Sequence, residues 1–302
     1  LLYDNHAADP SALFVRNLHT GVTSQIALDP VKYDNVVAED ISADGRFVVY
    51  SAHLKGSGGI GSPDPSESVT IVHDVATGSE VVVGPASPVL WSNDLTPDGH
   101  YLALSVSDHV IVFDVWTGTT LSDRTIPGAD GAHIAAAHEV RISDDGRYVA
   151  YSVLSPDVAV AQVYLHDMQN PGAPDRVVST AADGTVANGS SVLVDFSGDG
   201  RHVLFSDNGG YLLKDLDTGA VQSLTGGGLL SHDASAIINS NDPTGLYITT
   251  VLPPTITISA ISDDSRVNAA EEGAPIPISG TSDSDGATII VTSPSGATST
   301  TT

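Results

Sequence analysis

Apolar and polar residues alternate in short runs along most of this 302-residue chain, and turn residues punctuate the runs at regular intervals. Phe47-Val48-Val49-Tyr50 follows Asp44-Gly45, Tyr101-Leu102-Ala103-Leu104 follows Asp98-Gly99, Tyr148 to Tyr151 follows Asp145-Gly146, and His202 to Phe205 follows Asp199-Gly200. Short alternating runs bounded by such turn pairs are the signature of strands, not helices. No convincing helical apolar period extends beyond Ala129 to Val140.

The runs belong to a larger repeat. The Asp-Gly aspartates at 44, 98, 145 and 199 are spaced by 54, 47 and 54 residues, and a degraded copy covers Leu230 to Asn239. Periods of this length mark propellers or solenoids. Each copy has a second half that closes on Asp-x-x-Thr-Gly, at Asp74 to Gly78, Asp114 to Gly118 and Asp215 to Gly219. Asp167-Met168-Gln169-Asn170-Pro171 replaces it in one unit, and Asn17-Leu18-His19-Thr20-Gly21 is an earlier copy without its first half.

One unit therefore predicts four short strands: one ending before Asp44, then Arg46 to Ala52, Ser68 to Asp74, and Glu80 to Val83. Asp-Gly and Thr-Gly supply the positive-φ turns between them. A four-stranded meander repeated radially is a propeller blade. From the Asp-Gly aspartate to the Asp-x-x-Thr-Gly aspartate the offsets are 30, 16, 22 and 16 residues, so insertions fall at one place in the unit and on one face of the assembly. Units at 36 to 89, 90 to 136, 137 to 189 and 190 to 226, a shortened one at 227 to 252 and the N-terminal fragment give about six blades, with seven also compatible.

Ile41-Ser42-Ala43-Asp44-Gly45-Arg46-Phe47-Val48-Val49-Tyr50, with the downstream Asp-x-x-Thr-Gly, resembles the WD-like repeats of TolB-type β-propellers, especially those of large secreted bacterial proteins. The likeness covers roughly residues 1 to 252. It implies a fold, whereas such propellers serve as binding platforms, lids and enzymes alike. From Pro253 to Thr302 the texture changes. Asn268-Ala269-Ala270-Glu271 and Ile278-Ser279-Gly280-Thr281 resemble the start of bacterial immunoglobulin-like modules of giant repeat adhesins, which implies a partial β-sandwich ending in a Ser/Thr-rich linker or unfinished module. The chain reads as an excerpt of a longer protein.

Composition narrows the partners. With 37 acidic against 11 basic residues the net charge is −26, which argues against nucleic acid or an anionic membrane surface. No apolar run approaches the length of a membrane span. The absence of cysteine removes thiol chemistry and disulfides. An acidic, cysteine-free chain of this kind fits the outside of a bacterial cell.

Two clusters are candidates for binding. Asp263, Asp264, Asn268 and Glu271, with Asp283 and Asp285 in Asp283-Ser284-Asp285-Gly286, offer the oxygen ligands that Ca2+ takes, although none completes a full calcium loop. Calcium at domain joints is what the adhesin resemblance implies there. Repeat symmetry also places Asp40, Asp94, Arg141 and Asp195 at one equivalent position. Either they line the channel and hold a cation or water, with Arg141 offsetting the repulsion, or they cap local turns. The repeated turn aspartates are scaffold, because each accepts backbone N–H groups in a tight turn.

Other signals are weaker. Gly56 to Gly61 matches Gly-x-Gly-x-x-Gly but precedes no helix, His133 and His138 lack zinc-ligand spacing, and no Gly-x-Ser-x-Gly occurs. Trp91 and Trp116 fall in strands or turns and read as packing residues. The residues favour a non-catalytic binding or structural unit with a protein or glycan ligand on the loop face and neighbouring domains of its own parent chain. The alternative is a carbohydrate-active or hydrolytic enzyme with its site at the mouth formed by Leu54 to Glu67 and Leu154 to Gln162.

Overall fold

The computed structural model describes residues 1–5, 9–29, 31–54, 68–84, 90–106, 109–125, 136–154, 160–187, 189–224, 226–239, 247–250, 256–258, 280–282, 289–292 and 298–301. Every regular element among them is a strand, and none is a helix long and apolar enough to cross a membrane. The chain divides into two compact units, Leu1–Ile248 and Thr249–Thr302, a few residues before the boundary expected at 252.

In the first unit four meanders follow one another. They are β4 (Tyr33–Ile41), β5 (Phe47–Leu54), β6 (Ser68–Asp74) and β7 (Ser79–Val83); β8 (Leu90–Leu95), β9 (Tyr101–Val106), β10 (His109–Asp114) and β11 (Thr119–Thr125); β12 (Ala136–Ile142), β13 (Tyr148–Leu154), β14 (Gln162–Asp167) and β15 (Arg176–Val177); and β16 (Ser191–Phe196), β17 (His202–Asp207), β18 (Gly210–Asp215) and β19 (Val221–Leu224). A three-stranded sheet precedes them, β1 (Leu2–Asn5), β2 (Asp9–Arg16) and β3 (Thr23–Ile26), and another follows, β20 (Leu229–Leu230), β21 (Ala236–Asn239) and β22 (Tyr247–Thr250). The strand β12 includes part of the stretch with the strongest helical period, and it lies against β8 of the preceding sheet and β16 of the next.

Both faces of the middle strands are buried, which is why their apolar runs are nearly continuous. Val48 and Tyr50 pack toward the preceding sheet with Leu13 and Ile26, whereas Phe47 and Val49 pack toward Leu102 and Leu104 of the next. Ala103 and Val112 then meet Val149 and Tyr151, and Ala150 and Val163 meet Val203 and Phe205. First strands of successive sheets touch one another (β4 with β8, β8 with β12, β12 with β16, β16 with β20) while last strands such as β11 are largely exposed. Sheets joined this way converge on one side and splay on the other.

The same aspartate turn is built five times, four times as Asp-Gly and once as Asp233-Ala234. The Ser42 hydroxyl donates to Asp44 (2.7 Å) and accepts the Phe47 N–H (2.9 Å), and Asp44 accepts the Arg46 N–H (2.9 Å). Thr96, Ser143, Ser197 and Ser231 each make the same bond to the aspartate two residues on, at 2.6 to 2.9 Å. Two needs converge on the glycine. Gly146 has φ +71°, and an added Cβ would lie 2.2 Å from the Tyr101 ring of the preceding sheet; at Gly99 it would lie 2.5 Å from Phe47. In the sixth sheet Ala234 occupies the glycine position at φ 55°, and the preceding aromatic position there holds His202.

In the second unit β23 (Ile256–Ile258) pairs antiparallel with β24 (Gly280–Ser282), and β25 (Ile289–Thr292) with β26 (Thr298–Thr301). Part of the Ser/Thr-rich tail thus pairs as a strand.

Candidate functional site

The inner strands carry the first candidate. A register shift in each four-stranded sheet, between Ala38 and Asp40, Leu90 and Ser92, Ala137 and Val140, and Leu193 and Asp195, marks a bulge directly before Asp40 and Asp195 and slightly farther upstream of Asp94 and Arg141. Bulges re-aim side chains, and here the aspartates reach across to the next sheet. Asp40 accepts the Leu95 N–H (2.9 Å), Asp94 the Ile142 N–H (2.7 Å) and Asp195 the Leu230 N–H (2.6 Å). Asp40 also accepts the N–H of Ile41 (2.7 Å). The caps are therefore mostly non-local, unlike the local turn caps that sequence spacing allows.

Arg141 stands where the fourth carboxylate would be, and its Nε donates to Asp195 (3.1 Å) while Nη1 lies 3.5 Å from Glu139. Burial pushes the carboxyls of Asp40 and Asp195 up, and that of Asp94 up to about 7, against the pull of Arg141 and the backbone donors. Among the described residues no group of three or more His, Asp or Glu side chains is placed to hold a metal ion; Asp40, Asp94 and Asp195 each bond a backbone N–H of the next sheet. Asp263, Asp264, Asn268, Glu271, Asp283 and Asp285 lie outside the described residues, as do Gly56 to Gly61, His133 and most of the two long loops.

The second candidate lies on the turn face. A groove of about 510 Å3 opens where Arg46, Phe47, Asp74, Ser79 and Val81 of the second sheet meet the turn Val115-Trp116-Thr117-Gly118 of the third. Trp116 is 58% exposed. Its ring stacks on His100 with centroids 3.8 Å apart and planes at 7°, and His100 stacks in turn on Tyr101 at 3.8 Å and 20°. Tyr101 is itself wedged over Gly146. The indole is thus held flat from beneath by two rings.

The rest of the lining is mixed, with Val72, Val81 and Val115 beside polar residues. Arg46 donates to Asp74 through Nε (3.3 Å) and Nη2 (3.0 Å), and its guanidinium lies over Phe47. This bonding holds the Asp74 carboxyl below the usual carboxylate range. Hydroxyls of Ser79 and Thr117 complete the lining. Sequence spacing assigns Trp116 to packing, and the structure corrects that reading: one face packs on His100, but the residue follows the buried Val115 in a turn and stays largely exposed.

No sequence-family model matches the chain, and no curated protein shows significant similarity to it. Solved structures do. TolB from Acinetobacter baumannii shares 15% identity at a TM-score of 0.50, over 82% of this chain and 60% of that one. The fold is a β-propeller. Dihydro-heme d1 dehydrogenase NirN in complex with DHE (16% identity, TM-score 0.49, 80% and 47% covered) and the Dos1 propeller (15%, 0.46, 76% and 59%) are also similar. At such identities the likeness concerns the fold, and the chain spans less than two thirds of each of these structures.

Within the propeller, Trp116 has a traceable signal that sequence reasoning passed over. The other complete blades place Ala76, Gln169 and Asp217 at its turn position and the N-terminal copy places His19, while His100 stands where the complete blades place Arg46, Arg147 and Arg201. Two departures from the repeat occur in one blade, and the structure stacks them on each other.

Proposed function

We propose that this propeller is a non-catalytic binding module of a larger secreted or surface-displayed bacterial protein, and that its ligand seats in the Trp116 groove. One observation carries the reading: a large aromatic, held flat and open to solvent, occurs at a repeat position that the other complete blades fill with Ala, Gln or Asp. Exposed aromatics beside a few polar groups are what binding sites of this size use for affinity and orientation. The partner expected on the loop face is moved by this reading to the turn face. The immunoglobulin-like character of the second unit and calcium at Asp263 to Asp285 remain part of the proposal, as the joint to neighbouring domains of the parent chain.

The groove reading is tested by acrylamide quenching of tryptophan fluorescence in the full chain and in Trp116→Phe. An open groove gives a quenchable component that disappears in the variant. A Trp116 shielded from acrylamide contradicts the reading. Melting with and without chelator tests the calcium part, where a loss of thermal stability on chelation is expected and no shift removes it.

A further inference from the structure

The geometry points to a neutral oligosaccharide as the ligand of this groove, an inference that rests on the binding reading above. The chemistry of each wall selects it. The electron-rich face of an indole attracts the weakly positive C–H groups on the flat side of a pyranose ring, and Trp116 offers that face rigidly because His100 and Tyr101 back the other. Little side-chain freedom is then lost on binding.

Elsewhere in the lining, hydroxyl recognition is provided without net charge. Arg46 and Asp74 neutralise each other through two hydrogen bonds, which leaves Nη1 of Arg46 without a partner among the described residues. That donor, and the hydrogen-bonding capacity left to the Ser79 and Thr117 hydroxyls beyond their bonds to Thr77 and Thr119 (2.8 Å each), suit adjacent sugar hydroxyls, which both donate and accept. An acidic ligand is opposed by the net charge of −26. A cationic peptide would need an unpaired carboxylate, and Asp74 is already held by Arg46. A groove of about 510 Å3 is within the usual range for small ligands, roughly 300–1,000 Å3.

The test applies the full chain to a printed array of microbial, plant and animal glycans and titrates any neutral hit by tryptophan fluorescence. Binding of at least one neutral glycan is expected. Trp116→Ala should weaken it more than tenfold, Trp116→Phe less, and Arg46→Lys several-fold. An array without hits, hits confined to acidic glycans, or binding unchanged in Trp116→Ala overturns the inference. These failures are distinct from failure of the groove reading, since an acrylamide-accessible Trp116 with no glycan hit leaves an open groove that takes another ligand class. The melting curve of each variant, expected to match the parent for the Trp116 variants and to fall slightly for Arg46→Lys, which loses the fork onto Asp74, separates lost binding from lost folding.

Discussion

The second and third complete blades share one scaffold and differ at its rim. In the third, Arg147 forks onto Asp167 (3.2 Å through both Nε and Nη2), lies over Tyr148 and leaves Gln169 at the turn position. In the second, His100 replaces the arginine and Trp116 the glutamine, and an ion pair capped by a polar turn becomes a stack of three rings ending in solvent. Beneath them the turns are interchangeable, since Thr96 and Ser143 hold Asp98 and Asp145 at 2.7 and 2.6 Å. A repeat protein carries its own control: positions that recur are set by folding, and positions that depart from the repeat without structural need are free to serve binding.

The largest expected effects fall on the recurring positions. Gly146→Ala forces a Cβ into the Tyr101 ring at a left-handed φ, and should destabilise the propeller by roughly 2–4 kcal/mol in urea unfolding. Ala234→Gly, at the equivalent site of the sixth sheet, should change stability by less than about 1 kcal/mol. A small effect at Gly146 would erase the distinction between scaffold and rim.

Ser143→Ala comes next. Its buried hydroxyl holds both Asp145 (2.6 Å) and the Tyr148 N–H (2.9 Å), and its loss should cost about 1–3 kcal/mol.

The inner-strand carboxylates give a pH signature of opposite sign to that of the turn aspartates. Asp94 ionises at about 7 in the fold against about 3.9 unfolded, so its protonated form favours the native state and its contribution is lost as pH rises from 4 through 7. Asp167 and Asp233, held down to about 2 by Arg147 and by Ser235, contribute stability above pH 4 that is lost as pH falls toward 2. Asp94→Asn keeps an acceptor for the Ile142 N–H and should flatten the slope between pH 4 and 7, raising stability at pH 8 by on the order of 1 kcal/mol. An unchanged slope in that variant would place the titration elsewhere. Smallest is the effect of Trp116→Ala on stability, expected within about 0.5 kcal/mol because the side chain is mostly exposed.

How far these features were legible in the sequence follows from what kind of contact makes each. Strands and turns were readable because Ser-x-Asp-Gly closes on itself within a few residues: the bonds from Ser42 to Phe47 are local. That Asp40, Asp94 and Asp195 occupy one equivalent position was also readable from spacing. Their caps on Leu95, Ile142 and Leu230 were not, because each bond spans about a full repeat and depends on how neighbouring sheets dock. Trp116 was misjudged for a related reason. A tryptophan beside a strand is normally buried, and only the stacked His100 and the position of the second sheet show that its outer face stays open.

The most direct test returns the second complete blade to the repeat. In the double variant His100→Arg, Trp116→Ala the rim matches that of the first complete blade, which carries Arg46 and Ala76. Melting followed by circular dichroism, with glycan-array binding on the same sample, reads both consequences at once. The account predicts a thermal transition close to the parent's and complete loss of glycan binding. Binding that survives the change, or a propeller that no longer folds, would contradict it.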